Sequence, residues 1–276
     1  MNSPAFFKKT IFLAGLLLLA SYTISQTDST KAELNFSGTI NANSNGFSLV
    51  PTFSLGKPAI QTGFNISGKG RLSFQPQIWY SMLDYKPWSF IFIWRYKLVR
   101  KEKFEFILGT HAPAINFKSA QVVEKGDAID VVKARRFYPA LEVLPVYQIK
   151  KDISLSMYYL FGVGIEKEVS SKNHFLSLRA DFNDIPLTKQ LYLRLNPQIY
   201  YLRIDDDDGL YVAGSLALAH RKWPLTVSTI VNKSLTSEID VSDFERNVGL
   251  TYAFGKRFVE KWVILSAAGT SSANST

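Results

Sequence analysis

Charged, amide and phenol side chains recur two residues apart along several stretches of this chain: Arg95 and Lys97, Arg179 and Asp181, then Tyr192, Arg194, Asn196 and Gln198. Arg71, Glu105 and Glu142 begin or interrupt runs of the same kind. An arginine fork can hold both oxygens of a carboxylate or phosphate. Gathered on one wall, these residues could recognise anions, or they could neutralise one another. Other chemistry is thinly supplied. There are three histidines, His111, His174 and His220, and only His174 has serines close by in sequence, Ser170 and Ser171. No nucleophile elbow surrounds them, so a hydrolase reading has no motif behind it and no catalytic residue is assigned. Cysteine is absent and no histidines pair at ligand spacing. No metal site and no cofactor are expected.

The elements that must position these residues are strands. From Phe47 to Phe254 the sequence repeats about ten alternating apolar and polar residues, then a turn. Trp88, Phe90, Phe92, Trp94, Tyr96 and Leu98 make the clearest row, with Ser89, Arg95 and Lys97 between them. A period of two sends the aromatic row to one face and the charges to the other. Lipid outside and a wet or ion-paired lumen inside fits that arrangement: an all-β, transmembrane, antiparallel up-and-down barrel of about twelve strands, with fourteen as the alternative. A soluble exported sandwich is the other architecture that alternation allows. Mean hydropathy is neutral, as alternation requires.

The N-terminus reads as a secretory signal over residues 1–25: Lys8 and Lys9, the apolar run Thr10 to Ala20, then small residues before Gln26. Residues 26–45 form an N-terminal segment, 46–254 the barrel and 255–276 a tail. Near the end, Asn247-Val248-Gly249-Leu250-Thr251-Tyr252-Ala253-Phe254 resembles the β-signal of bacterial outer-membrane barrels. Together with the aromatic strands and the signal segment, it makes the chain resemble bacterial outer-membrane β-barrels of about this length. The resemblance implies the outer membrane as location. It implies lipid, lipopolysaccharide and the barrel-assembly machinery as partners, and no particular activity or oligomeric state.

Loop lengths set the expected topology, since periplasmic turns are short and external loops longer. Starting the barrel near Phe47 puts the connections at Ser67–Arg71, Arg100–Glu102, Lys150–Asp152, Asn183–Thr188 and His220–Lys222 in the periplasm. Pro113–Arg135, Glu166–Lys172, Asp205–Gly209 and Ser234–Phe244 then face outward, and Glu33–Asn41 is left as an edge extension. Pro51, Pro76, Pro145 and Pro197 predict bulges or unpaired ladder positions. The strong positive charge, +9, does not signal nucleic acid, because the aromatics alternate away from the basic residues. The Asp205–Asp208 run lacks the spaced ligands of a calcium loop and reads as a solvated tip.

With the aromatic rows outward, the expected lumen set includes Arg71, Gln75, Gln77, Arg95, Lys97, Glu105, His111, Glu142, Tyr158, Arg179, Asp181, Tyr192, Arg194, Asn196 and Gln198. A turn centred on Arg100 would oppose Arg95 to Glu105 and Lys97 to Lys103. The Asn183–Thr188 turn would oppose Arg179 to Arg194 and Asp181 to Tyr192. Two uses follow. Arg71, Arg95, Arg179, Arg194 and Gln198 could be a track for small anionic solutes in a narrow channel. Alternatively, Glu105, Glu142 and Asp181 could pair with them and fill a non-conducting structural or docking barrel.

Overall fold

The computed structural model describes residues 33–46, 54–124, 127–137, 140–166 and 170–259. The signal segment, the expected start at Phe47 and the tail beyond Val259 lie outside them. Thirteen strands follow one another: β1 (Glu33–Asn43), β2 (Ala59–Gly68), β3 (Leu72–Ser81), β4 (Pro87–Arg100), β5 (Phe104–Glu124), β6 (Asp127–Phe137), β7 (Ala140–Lys150), β8 (Ile153–Val163), β9 (Lys172–Pro186), β10 (Leu191–Ile204), β11 (Asp207–His220), β12 (Leu225–Ser237) and β13 (Phe244–Val259). Each pairs antiparallel with its neighbour, β1 lies beside β13, and β5 pairs with both β4 and β7. Twelve strands therefore close a ring. The thirteenth, β6, pairs with the far half of β5, Ala114 to Glu124, and continues that strand as a hairpin beyond the ring. The closed ring itself has no edge strand, so every strand of it can satisfy its backbone within the sheet.

Two expectations are corrected. Glu33–Asn41 is a full barrel strand, paired with β2 from Leu34↔Gly68 to Asn43↔Ala59. The run expected as strand 46–56 falls in the connection between β1 and β2, where the described parts form no strand. The count of twelve survives because one strand was gained and one lost. Both ends of the barrel still share a side with the short turns, since the long β1–β2 connection sits at the opposite end. The second correction concerns Pro113–Arg135, expected as a loop. It is largely strand, because its own alternation pairs with itself once β5 leaves the ring. Similarly, Asp207 to Gly209 begin β11, so the outer turn there is tight.

The short connections after β2, β4, β7, β9 and β11 gather at what we call the turn end, and the longer ones at the loop end. Outward rows are apolar: Leu72, Leu141, Leu178, Val227 and Val248 are each more than half exposed. Rings cluster at both heights of this face. Phe36, Phe64 and Phe254 meet at 5.9–6.2 Å near the turn end, and Tyr80, Phe90 and Phe117 near the loop end. Such girdles and an apolar belt mark a barrel that crosses a membrane. Gly38 is the device that lets the first group form. A Cβ there would stand 2.7 Å from Phe254 and 3.0 Å from Phe64, so the two rings lie over a bare backbone where the first and last strands meet. Pro76, Pro145 and Pro197 coincide with gaps in one ladder each and no change of register, so the unpaired-position expectation holds and the bulge does not. Trp88 departs from its row. A bulge beside Trp79 and Tyr80 turns it inward, where it is buried against Trp79 with ring centroids 4.8 Å apart.

Candidate functional site

The inward rows place a charged cluster at mid-barrel. Glu142, on β7, is fully buried and receives both sides of the Arg95 guanidinium from β4. Arg95 also donates to Gln75 on β3 at 2.6 Å. Tyr158 on β8 donates to Glu142 at 2.9 Å, and the ring of His111 on β5 lies 3.0 Å from the same oxygen. Five strands are thus tied through one carboxylate. Burying that charge costs several kcal/mol unless its lone pairs are filled, and here they are filled four times over. The Arg95–Glu142 pair must pass over β5, and Gly109 makes the passage. A Cβ there would meet Glu142 Cγ at 2.7 Å and the Trp94 carbonyl at 2.8 Å. A lone glycine inside a strand marks such a close approach, and this was the sequence signal for the contact.

The expected pairings change with register. Arg95 lies opposite Gly109, not Glu105, because the turn falls at Lys101–Lys103 and a bulge at Leu98 shifts the ladder. Lys97 instead holds both oxygens of Glu105 at 2.8 Å. On β9 the strand runs on to Pro186, so Arg179 faces Gln198 and not Arg194, and Tyr192 faces Pro186. Arg194 sits toward the turn end, exposed, with its guanidinium on Tyr192. Arg71 is exposed at the turn after β2 and donates to the Leu98 carbonyl. The five residues expected as a track are therefore not one file: Arg71 and Arg194 lie at the turn end, while Arg95, Arg179 and Gln198 line an interior cavity.

That cavity measures about 520 Å³ and occupies the half of the lumen nearer the loop end. Arg95 is engaged in the cluster beneath. Arg179 is not: its side chain is 43% exposed, and among the described residues its Nε alone is met, by Asp181 at 3.0 Å. Asp181 also accepts from Asn196 at 2.6 Å. It lies on the turn-end side, leaving the terminal nitrogens of Arg179 toward the cavity. Directly across the ladder, Gln198 is nine-tenths buried, and its amide nitrogen has no hydrogen-bond partner among the described residues. At the loop end Ile239 and Val241, between β12 and β13, fold onto Phe175, Tyr200, Leu202 and Tyr211.

The histidines serve structure. His111 belongs to the Glu142 cluster. His174 faces outward and meets the Tyr159 hydroxyl at 2.8 Å, while Ser171 donates to Asp205, not to His174. His220 accepts from the backbone of Lys222 and Trp223 at a turn. Asp205 also accepts from the Lys172 amide, and these hydrogen bonds, the Ser171 one first, hold its carboxyl below the ordinary range. Among the described residues no three metal-ligating side chains gather.

The chain is an outer-membrane β-barrel. No family model matches it, and no curated protein does. Solved structures similar to it include the KdgM porin in complex with disordered oligogalacturonate, at 8% identity over 80% of this chain and 99% of that one, TM-score 0.49. The NanC porin has 11% identity over 79% and 98%, TM-score 0.43. The COG4313 outer membrane channel from Pseudomonas putida F1 has 10% identity over 82% and 96%, TM-score 0.42. At identities near a tenth and TM-scores below 0.5, these likenesses say nothing of what this barrel carries.

Proposed function

We propose that the barrel is a narrow channel for small anionic solutes, entered from the loop end, which faces away from the cell. One observation carries the reading: a cavity of about 520 Å³ lies inside the ring, and on its wall Arg179 presents terminal nitrogens that Asp181 leaves free. A positive group in a low-dielectric pore selects by sign. The opposing reading, a non-conducting structural or docking barrel, draws on a different observation. Arg95, Glu142, His111 and Tyr158 fill the middle of the β3–β8 wall with satisfied side chains. Liposome swelling separates the two. Vesicles containing the protein are expected to swell faster in isosmotic gluconate than in an isosmotic cationic solute of similar size. Swelling no faster than in protein-free vesicles, for every solute, would leave the docking barrel.

A further inference from the structure

The walls of the cavity do not look like a path for a sugar. Above Arg179 the lining is mostly apolar: Ile91, Ile93, Leu160, Leu202, Ile204 and Ile230 all turn inward, together with the Trp79–Trp88 pair. Inward positions of a membrane barrel are ordinarily polar, and here Gln61, Gln77, Ser89, Asn116 and Asn173 are outweighed on the cavity wall by apolar surface. Where the lumen should be wet it is greasy, and where the greasy part ends a cation and an unpartnered amide stand side by side.

We infer that the cavity binds an anionic amphiphile, a molecule with one carboxylate and an elongated apolar or aromatic body. The inference rests on the reading of the lumen as a route for anions and names the class of anion. The carboxylate is held by the terminal nitrogens of Arg179 and the amide nitrogen of Gln198. These two residues face each other directly across the β9–β10 ladder, the separation at which two donors can share one carboxylate. Asp181 does not compete for that place, because Asn196 and the Arg179 Nε occupy it from the turn-end side. The apolar body lies toward the loop end between the two tryptophans and the Phe175 side of the wall. Pockets that combine mostly apolar walls with a few convergent polar groups are the usual form of a small-molecule site, and this volume lies within their range. A polyhydroxylated anion would meet the same two donors but would set most of its hydroxyls against isoleucine, leucine and tryptophan, where desolvation costs more than the few amides and serines on the wall return.

The test is calorimetric titration of the full protein in lipid nanodiscs, with empty nanodiscs subtracted to remove partition into lipid. Three probes separate the parts: 4-phenylbutyrate has the charge and the body, 4-phenylbutanol the body alone and gluconate the charge alone. The inference expects saturable binding of phenylbutyrate at one site per barrel, at least tenfold tighter than either of the others. Arg179→Met and Gln198→Leu should each weaken phenylbutyrate about tenfold and leave phenylbutanol unchanged. Ile230→Asn, which sets an amide against the apolar body, should weaken phenylbutyrate and phenylbutanol alike. Gluconate binding as tightly as phenylbutyrate, in a barrel that conducts anions, would overturn the amphiphile while the channel stood. Phenylbutanol binding as tightly as phenylbutyrate would overturn the assigned head site. Saturable phenylbutyrate binding in a barrel silent in bilayers would support the site and remove the channel.

Discussion

Two walls of the lumen hold the same ring together by different means. From β3 to β9, at mid-barrel and toward the turn end, charged inward side chains hold one another: Gln75–Arg95–Glu142 and Lys97–Glu105 across strands, and Arg179–Asp181 along β9. At the loop-end part of the closing seam, where β13 meets β1 and β1 meets β2, the side chains that meet across strands are neutral amides and a hydroxyl. Asn247 donates to Asn43 at 2.7 Å, Asn43 to Gln61 at 2.7 Å, and Ser44 and the Asn45 amide both reach the Asn247 oxygen. Gly249 keeps room for this ladder, since a Cβ there would approach Asn41 at 2.8 Å. The difference teaches where charge is affordable. An ion pair away from water holds only when every lone pair is filled, so it suits a wall where five strands converge on one carboxylate. A seam joining the ends of the chain is better served by amides, which lose little if one partner is late to arrive.

Breaking the charged wall should cost most. Glu142→Leu removes the acceptor of Arg95, Tyr158 and His111 at once and leaves a largely buried guanidinium without its partner. A loss of about 3–5 kcal/mol is expected, read as a lower temperature or urea concentration at which the heat-modifiable folded band disappears. An unchanged midpoint would mean that the pair does not carry the wall. Asn247→Ala should cost less, about 1–3 kcal/mol, because it orphans neutral groups. The same gel assay reads it, and a loss as large as that of Glu142→Leu would erase the contrast between the walls. The smallest effect belongs outside both. Lys57 meets Asp84 at 2.8 Å on the loop-end surface, and that contact holds the Asp84 carboxyl well below its ordinary range. Its contribution is present above the unfolded carboxylate's pKa and fades only as pH falls through the depressed folded one. Between pH 7 and 5, Asp84→Asn and the parent should therefore differ in melting temperature by the same small amount. A difference that grows as the pH drops across that interval would contradict the sign of the shift.

The two walls were unequally legible in the sequence. Alternation located the strands of the charged wall and the inward identity of Arg95, Glu142, His111, Tyr158, Arg179 and Gln198, because period two is a local property. Which residues meet is a matter of register, and register depends on where turns and bulges fall. The turn at Lys101–Lys103, the longer run of β9 to Pro186 and the bulges at Leu98 and Arg194 moved every expected pair by four or five residues. The seam was the harder part. Its β1 strand, ELNFSGTINAN, carries only three large apolar residues, Leu34, Phe36 and Ile40, among glycine and small polar groups, so it reads as an extension. Its partner strand lies at the other end of the chain, and nothing local marks the match except Asn247 within the β-signal-like segment. The apolar loop-end half of the lumen was hidden for a related reason. Ile91 and Ile93 stand between aromatics on β4, and a continuous apolar run does not announce which face is in.

The central claim is that Arg179, held from one side by Asp181 and open to the cavity on the other, gives the lumen its sign. Planar-bilayer recording of the purified protein under a salt gradient tests it most directly. A reversal potential on the anion-selective side that moves toward zero in Arg179→Ala, with conductance retained, is the predicted result. A silent barrel, a cation-selective one, or a selectivity indifferent to Arg179→Ala would contradict it.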